Sequence, residues 1–356
     1  MSDIERLLDY AIEQKASDVH ITTNRESTLR INGGIIKSDV IISKDDLIQF
    51  CATQGDLMVD KITDFIHSRR FSIDCAITYN HRRFRVHIYK SINETCAVLR
   101  LLSEKVPDLF QLNLPPVVSK FVTLNSGLVL VCGATGSGKT TTIASIIDQI
   151  NHIKDKVILT IEDPIEYVYT ESKAVIEQRE VGTHVESFSQ ATVDALREDP
   201  DIIVVGEMRD LETIKNAITL AETGHLVFGT LHTKSAIDAI DRIIDIFPPE
   251  QQQQIRVQLS SILTAIVHQQ LVQSSNGKRV VLCEALIIDG VIAGTIKQPS
   301  KSSLNTLKDY MKIKDNPCIS LIDNAMWHIK NGRLTLDNVK YNISEEDYRL
   351  LVARLK

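Results

Sequence analysis

The chain has 356 residues, 43% hydrophobic and 24% charged, with a formal net charge of −6, which is enough apolar content for two buried cores. The acidic balance and the lack of any Lys/Arg block argue against bulk nucleic-acid binding. No apolar run approaches the roughly 20 residues that cross a bilayer, and the first residues lack the basic-then-apolar order of a signal peptide. The six cysteines, at 51, 75, 96, 132, 283 and 318, contain no C-x-x-C pair. They suggest neither a zinc site nor a disulfide framework and read as small apolar core residues, with the cytoplasm as the default compartment.

Residues 4–16 carry Ile4, Leu7, Leu8, Ala11 and Ile12 at helical spacing, and residues 17–22 alternate like a strand. Leu29-Arg30-Ile31 and Ile35-Ile36 flank Asn32-Gly33-Gly34, which predicts a hairpin because Asn-Gly tolerates the positive φ of tight turns. Ser43 with Asp46 predicts a capped helix through about Ala52. Further strands are expected over residues 71–79, 84–89 and 96–102, so residues 1–102 form a first domain, an antiparallel sheet with two or three helices. Pro107, Pro115 and Pro116 mark residues 103–116 as a linker.

From Val117 the pattern changes. Strands are predicted over residues 128–132, 157–161, 174–181, 202–205 and 226–231, alternating with helices over 141–150, 188–198, 211–222 and 237–246. Such alternation predicts an α/β domain over residues 117–290, a mostly parallel sheet covered by helices on both faces. Pro248-Pro249 starts a helix expected to run to about Val272, and residues 291–356 read as a helical C-terminal region whose last helix opens at Ser344 with Asp347.

Gly133-Ala134-Thr135-Gly136-Ser137-Gly138-Lys139-Thr140 fits G-x-x-x-x-G-K-[ST] between the first strand and the first helix of this second domain. Inward backbone N–H groups and a helix N-terminus suit phosphate oxygens. Lys139 can reach the β- and γ-phosphates, and the Thr140 hydroxyl can coordinate Mg²⁺. The candidate binding set is Gly133 through Thr141, and the chain is expected to bind a nucleoside triphosphate.

Three more clusters sit at strand ends, where doubly wound sheets bind ligands. Glu162-Asp163-Pro164-Ile165-Glu166 could orient water or hold a metal ion. Ile202 to Val205 followed by Gly206-Glu207 resembles a Walker B strand with glycine where an aspartate often stands. The two sets of carboxylates compete for one base and one metal shell; Glu162 is favoured for water activation and Glu207 for the Mg²⁺ shell. His225 and His232 flank the strand over 226–231 on opposite faces, so they do not pair as ligands of one metal. His232, at the carboxyl end, is the better sensor of a γ-phosphate, and His225 has the stronger structural reading.

In this order, the phosphate loop, Ile161 to Tyr167, Ala195-Leu196-Arg197-Glu198-Asp199-Pro200-Asp201, Gly206 to Asp210, Glu222 to His225 and Gly229 to Thr233 resemble the secretion ATPase superfamily, most nearly its type IV pilus retraction ATPases of the PilT type. The resemblance spans nearly the whole chain, from Ala16-Ser17-Asp18-Val19-His20 onward. It implies a PAS-like N-terminal domain joined to a RecA-like ATPase domain, and a homohexameric ring that hydrolyses ATP with Mg²⁺ at sites between domains and neighbouring subunits. It implies catalytic roles for Lys139, Glu162, Glu207 and His232, and nucleotide contacts from the first-domain Arg85 and Arg100. It further implies a peripheral place at the inner face of the cell membrane, indirect membrane contact through an inner-membrane pilus platform protein, and work in pilus retraction and twitching motility. A start at the PAS-like domain and the lack of a four-cysteine insertion favour retraction over assembly. Two departures keep alternatives open, namely an accessory or assembly motor of a type IV pilus or type II secretion system, or a non-hydrolysing ring subunit. Val291 to Gln298 stands where retraction motors read A-I-R-N-L-I-R-E, and Ile92-Asn93 stands where the family often has an arginine.

Overall fold

A computed structural model describes every residue except 1, 54–55, 68, 93, 103–104, 276, 299–302, 314–315 and 356. Asn93 and residues 103–104 of the expected linker lie outside the described residues. The chain divides into two units. The first holds Met1–Lys105, Asp163–Val168 and Glu180–His184, and the second holds Val106–Glu162, Tyr169–Arg179 and Val185–Lys356.

The first unit is built on strands β1 (Asp18–Thr22), β2 (Glu26–Ile31), β3 (Gly34–Ile41), β4 (Ser72–Tyr79), β5 (Arg82–Lys90) and β6 (Thr95–Leu101), antiparallel in the order β3-β2-β1-β6-β5-β4. The β2–β3 turn places Asn32 and Gly33 at φ of 50° and 85°, the positive angles that a tight hairpin demands. Helix Asp3–Glu13 is fixed at its start by a reciprocal Ser2–Glu5 capping box and buries Ile4, Leu7, Leu8 and Ala11. Helix Lys44–Ala52 begins where the Ser43 hydroxyl accepts the Asp46 N–H. Arg83 on β5 pairs with Glu180, and its Nε donates to the Ile165 carbonyl at 2.8 Å. That side chain ties the two short segments from later in the sequence into this unit.

The second unit carries β7 (Gly127–Cys132), β8 (Val157–Glu162), β9 (Val175–Glu180), β10 (Ile202–Val205), β11 (Leu226–Leu231), β12 (Leu263–Gln273) and β13 (Arg279–Ile287) in the order β13-β12-β7-β11-β10-β8-β9. The five strands from β12 to β8 run parallel, and β13 is antiparallel to β12. Near-continuous burial along β7, β10 and β11 is what a sheet covered on both faces requires.

Two expectations change. The helix from Pro249 ends at Ile262, and residues to Gln273 form β12 instead of more helix. The apolar run fits either period, and the slot between β7 and β13 decides, burying Ala265, Ile266 and Val267 completely. The expected linker is also more structured than its prolines suggest. Leu109, in a short turn over Leu109–Leu112, packs with Val118 and Phe121 in the second unit's core. The C-terminal region is helical, and Ile322, Ala325 and Leu351 bury against Val272 and Leu282. All six cysteines are free and buried.

Candidate functional site

The parallel strands deliver four of the sequence clusters to one edge of the second unit's sheet, the carboxyl edge. In spatial order these are the phosphate loop after β7, His232 after β11, Gly206-Glu207 after β10 and Glu162 at the end of β8. Strand spacing puts Glu207 about 10 Å and Glu162 about 14 Å along that edge from β7. Sequence order hides this neighbourhood, because β11 lies between β7 and β10.

The loop leaves the sheet at Gly133, whose N–H donates to the Leu231 carbonyl at 3.2 Å. Gly133 has φ of +142°, and a Cβ there would stand 2.2 Å from the Gln269 carbonyl oxygen and 2.8 Å from Ser137 Oγ. Only glycine fits. Ala134, Thr135 and Gly136 cross the tip of the loop, and Gly138 caps the helix Lys139–Ile153, whose first turn carries Thr140 and Thr141. The Lys139 side chain is buried and folds back, Nζ donating to the carbonyls of Gly133 (2.9 Å) and Ala134 (3.1 Å). Ser137 Oγ is buried with no hydrogen-bond partner, an orphaned hydroxyl where a phosphate oxygen would satisfy it. The cradle fits phosphate. Thr140 and Glu207 are hard oxygen donors of the kind Mg²⁺ takes.

Behind the loop stands a residue that the sequence did not flag. Gln269, wholly buried on β12, donates from Nε2 to the Ser137 carbonyl at 2.9 Å. Its only sequence signal is the polar triplet His268-Gln269-Gln270 inside an otherwise apolar run.

Glu207 is surrounded by cationic and imidazole nitrogen. Arg209 pairs with it, and His232 Nε2 lies 2.9 Å from its Oε1. Burial and the nearby Lys139 ammonium lower the His232 pKa more than Glu207 raises it, so the imidazole is neutral at pH 7. Glu162 differs. Its Oε1 accepts from the Thr160 hydroxyl at 2.7 Å and from Gln178 Nε2 at 3.3 Å. Gly206 explains the missing aspartate. Its N–H donates to the Ile161 carbonyl at 2.8 Å, and a Cβ there would meet that oxygen at 2.9 Å and the Glu162 Cα at 3.3 Å. The two acid-bearing strand ends close on each other through a position where no side chain fits.

His225 Nδ1 lies 2.9 Å from the Leu220 carbonyl and 3.0 Å from Thr223 Oγ1, tying off the preceding helix at the opposite end of β11 from His232. In the first unit, Arg85 and Arg100 are directly opposed on β5 and β6, and Arg100 is opposed in turn by Asp18 on β1. Arg100 Nε donates to Asp18 Oδ1 at 2.8 Å. Burial pushes the Asp18 carboxyl up, but the hydrogen bonds from Arg100 and Ser17 outweigh it and leave its pKa lowered. In the 291–298 segment, helix Gly290–Lys297 buries Ile292 and Ile296, the two positions that keep the family's isoleucines, and exposes Val291, Gly294 and Lys297.

Among the described residues no helix is long and apolar enough to cross a membrane. The chain is 41% identical over 300 residues to the type IV pilus retraction ATPase PilT of Pseudomonas aeruginosa, covering 83% of this chain and 86% of that protein. It is 33% identical over 357 residues to the type IV pilus ATPase PilU of the same organism, covering 98% and 91%. A crystal structure of the pilus retraction motor PilT with bound ADP superposes with a TM-score of 0.84 at 37% identity, over 99% of this chain and 97% of that one. The type II/IV secretion system protein family matches residues 1–321, and the chain belongs to that family.

Proposed function

We propose that this chain is an ATP-hydrolysing hexameric motor that powers retraction of type IV pili and twitching motility. The observation that carries the reading is the phosphate loop, with its glycine cradle, buried Lys139 and orphaned Ser137 hydroxyl, in a chain 41% identical to a retraction ATPase. ATP would displace the Gly133 and Ala134 carbonyls from Lys139, freeing the ammonium for the β- and γ-phosphates. Mg²⁺, held by Thr140 and Glu207, would neutralise charge on the phosphate oxygens. Glu162 orients and deprotonates the attacking water, and His232 senses the γ-phosphate from beside Glu207. Arg85 and Arg100 are the guanidiniums assigned to the developing phosphate charge. The working partners are other copies of this chain in a ring and an inner-membrane pilus platform protein, at the inner face of the cell membrane.

Lys139→Ala tests the reading at two levels. Purified variant should lose ATP turnover, and near-normal turnover overturns the site. Cells whose only copy carries the variant should show excess pili and no twitching, whereas bald cells would make this an assembly motor. A second reading, an accessory motor, is favoured by the altered exposed face of helix Gly290–Lys297. Unchanged pilus number in the same cells would support it.

A further inference from the structure

Gln178 belongs to none of the sequence motifs. It lies on β9, beside β8 at the edge of the sheet, and its amide is held at both ends. The amide oxygen accepts the Tyr169 backbone N–H at 3.1 Å, and Nε2 donates to Glu162 Oε1 at 3.3 Å. The first bond decides which end of the amide faces the carboxylate, because a backbone N–H can only donate. Thr160, wholly buried two residues before Glu162 and so on the same face of β8, donates to the same oxygen. Two neutral donors on one oxygen fix a carboxylate's direction.

We propose that Gln178 is a positioning residue for hydrolysis, its amide holding Glu162 in the orientation from which that carboxylate acts on the attacking water. The inference rests on the role assigned to Glu162 above. Misplacing a catalytic group by about 1 Å costs on the order of 10²-fold in rate. A side chain that acts through Glu162 alone leaves nucleotide affinity untouched.

The test is steady-state ATP turnover of the full chain for Gln178→Met, Glu162→Gln and the double variant, with kcat followed against pH. Gln178→Met should lower kcat roughly 10- to 100-fold with KM for ATP within about twofold. The acid limb of its kcat–pH profile should move to higher pH, since a carboxylate that loses a donor to its ionised form is harder to ionise. In the Glu162→Gln background the same substitution should have no further effect. Wild-type kcat in Gln178→Met beside a strongly slowed Glu162→Gln overturns this inference alone, as does an equal loss in both backgrounds, which would mark a structural role. Full turnover in Glu162→Gln overturns the assignment of Glu162 and this one with it. Should Gln178→Met fail to fold, Gln178→Asn asks the same question with an amide one methylene too short to span both partners.

Discussion

Gly133→Ala is the sharpest perturbation of the phosphate loop, because the structure fixes what a single methyl would meet. The new Cβ would lie 2.2 Å from the Gln269 carbonyl oxygen and 2.8 Å from Ser137 Oγ, at φ of +142°. Holding a residue with a side chain in that region costs about 1–3 kcal/mol, and overpacking a tight contact about 1–3 kcal/mol more. The sum, about 2–6 kcal/mol, exceeds what the loop can absorb in place, since β12 behind it is buried between β7 and β13. The loop must move off Gln269 to relieve the clash, and the cradle is lost with it. Gly136→Ala is the control, with φ of +78° and nothing within 4 Å of its Cβ. Its cost is about 1–2 kcal/mol of backbone strain, and if all of it fell on binding, affinity would drop about 5- to 30-fold. Titration of each variant with a fluorescent ATP analogue should show weakened but saturable binding for Gly136→Ala and none in the measurable range for Gly133→Ala. Equal affinities would refute the steric argument and with it the claim that the loop's path is set by Gln269.

Gln269→Leu keeps the volume behind the loop and removes the donor to the Ser137 carbonyl. It should raise KM for ATP several-fold, and an unchanged KM would reduce Gln269 to a core residue. Glu284, on β13, accepts the Ala236 N–H at 2.7 Å, and burial pushes its carboxyl up to about 7 from 4.5. The folded state therefore holds that proton while the unfolded chain has lost it, so stability falls as pH rises from 4.5 to 7 by about 3 kcal/mol and stays low above that. Chemical denaturation of Glu284→Gln should show a gain over wild type that grows across this window and then levels off, and a pH-independent difference would contradict the burial. Arg100→Ala would strip the buried Asp18 of its closest cation, so it should destabilise the first unit by about 1–3 kcal/mol whatever its effect on turnover. Arg85→Ala is the cleaner probe of nucleotide contact, and unaffected turnover there would leave Arg85 as surface charge.

The phosphate loop was legible because its signal is local. Glycines, a lysine and flanking strand and helix periods all fall within two dozen residues, and each is dictated by backbone chemistry. The β2–β3 hairpin was legible for the same reason, since Asn32-Gly33 encodes its own dihedral angles. β12 was not, because Leu263 to Val272 satisfies either period and only the slot beside β7 selects a strand. Gly206 could be seen as a departure from an aspartate, but its cause is the carbonyl of Ile161, a residue 45 positions earlier. Gln178 carries no pattern at all, and Gln269 only a polar interruption of an apolar run. Each becomes informative only through its partners, which are distant in sequence: Tyr169 and Glu162 for Gln178, and the Ser137 carbonyl for Gln269.

The proposed division of labour between the two carboxylates turns on what each one touches. Glu207 sits with Arg209 and beside an imidazole kept neutral by burial and Lys139, so a guanidinium already compensates the position where a hard cation would stand. Arrival of phosphate charge at Lys139 would reduce that ammonium's repulsion of His232 and raise the imidazole's affinity for a proton. The Glu207–His232 contact would then gain charge when the γ-phosphate is present and lose it when phosphate leaves. Glu162 Oε1 takes its direction from the Thr160 hydroxyl and the Gln178 amide. Glu207 is thus suited to track the charge of the nucleotide, while the proposed base, Glu162, is oriented by Thr160 and Gln178.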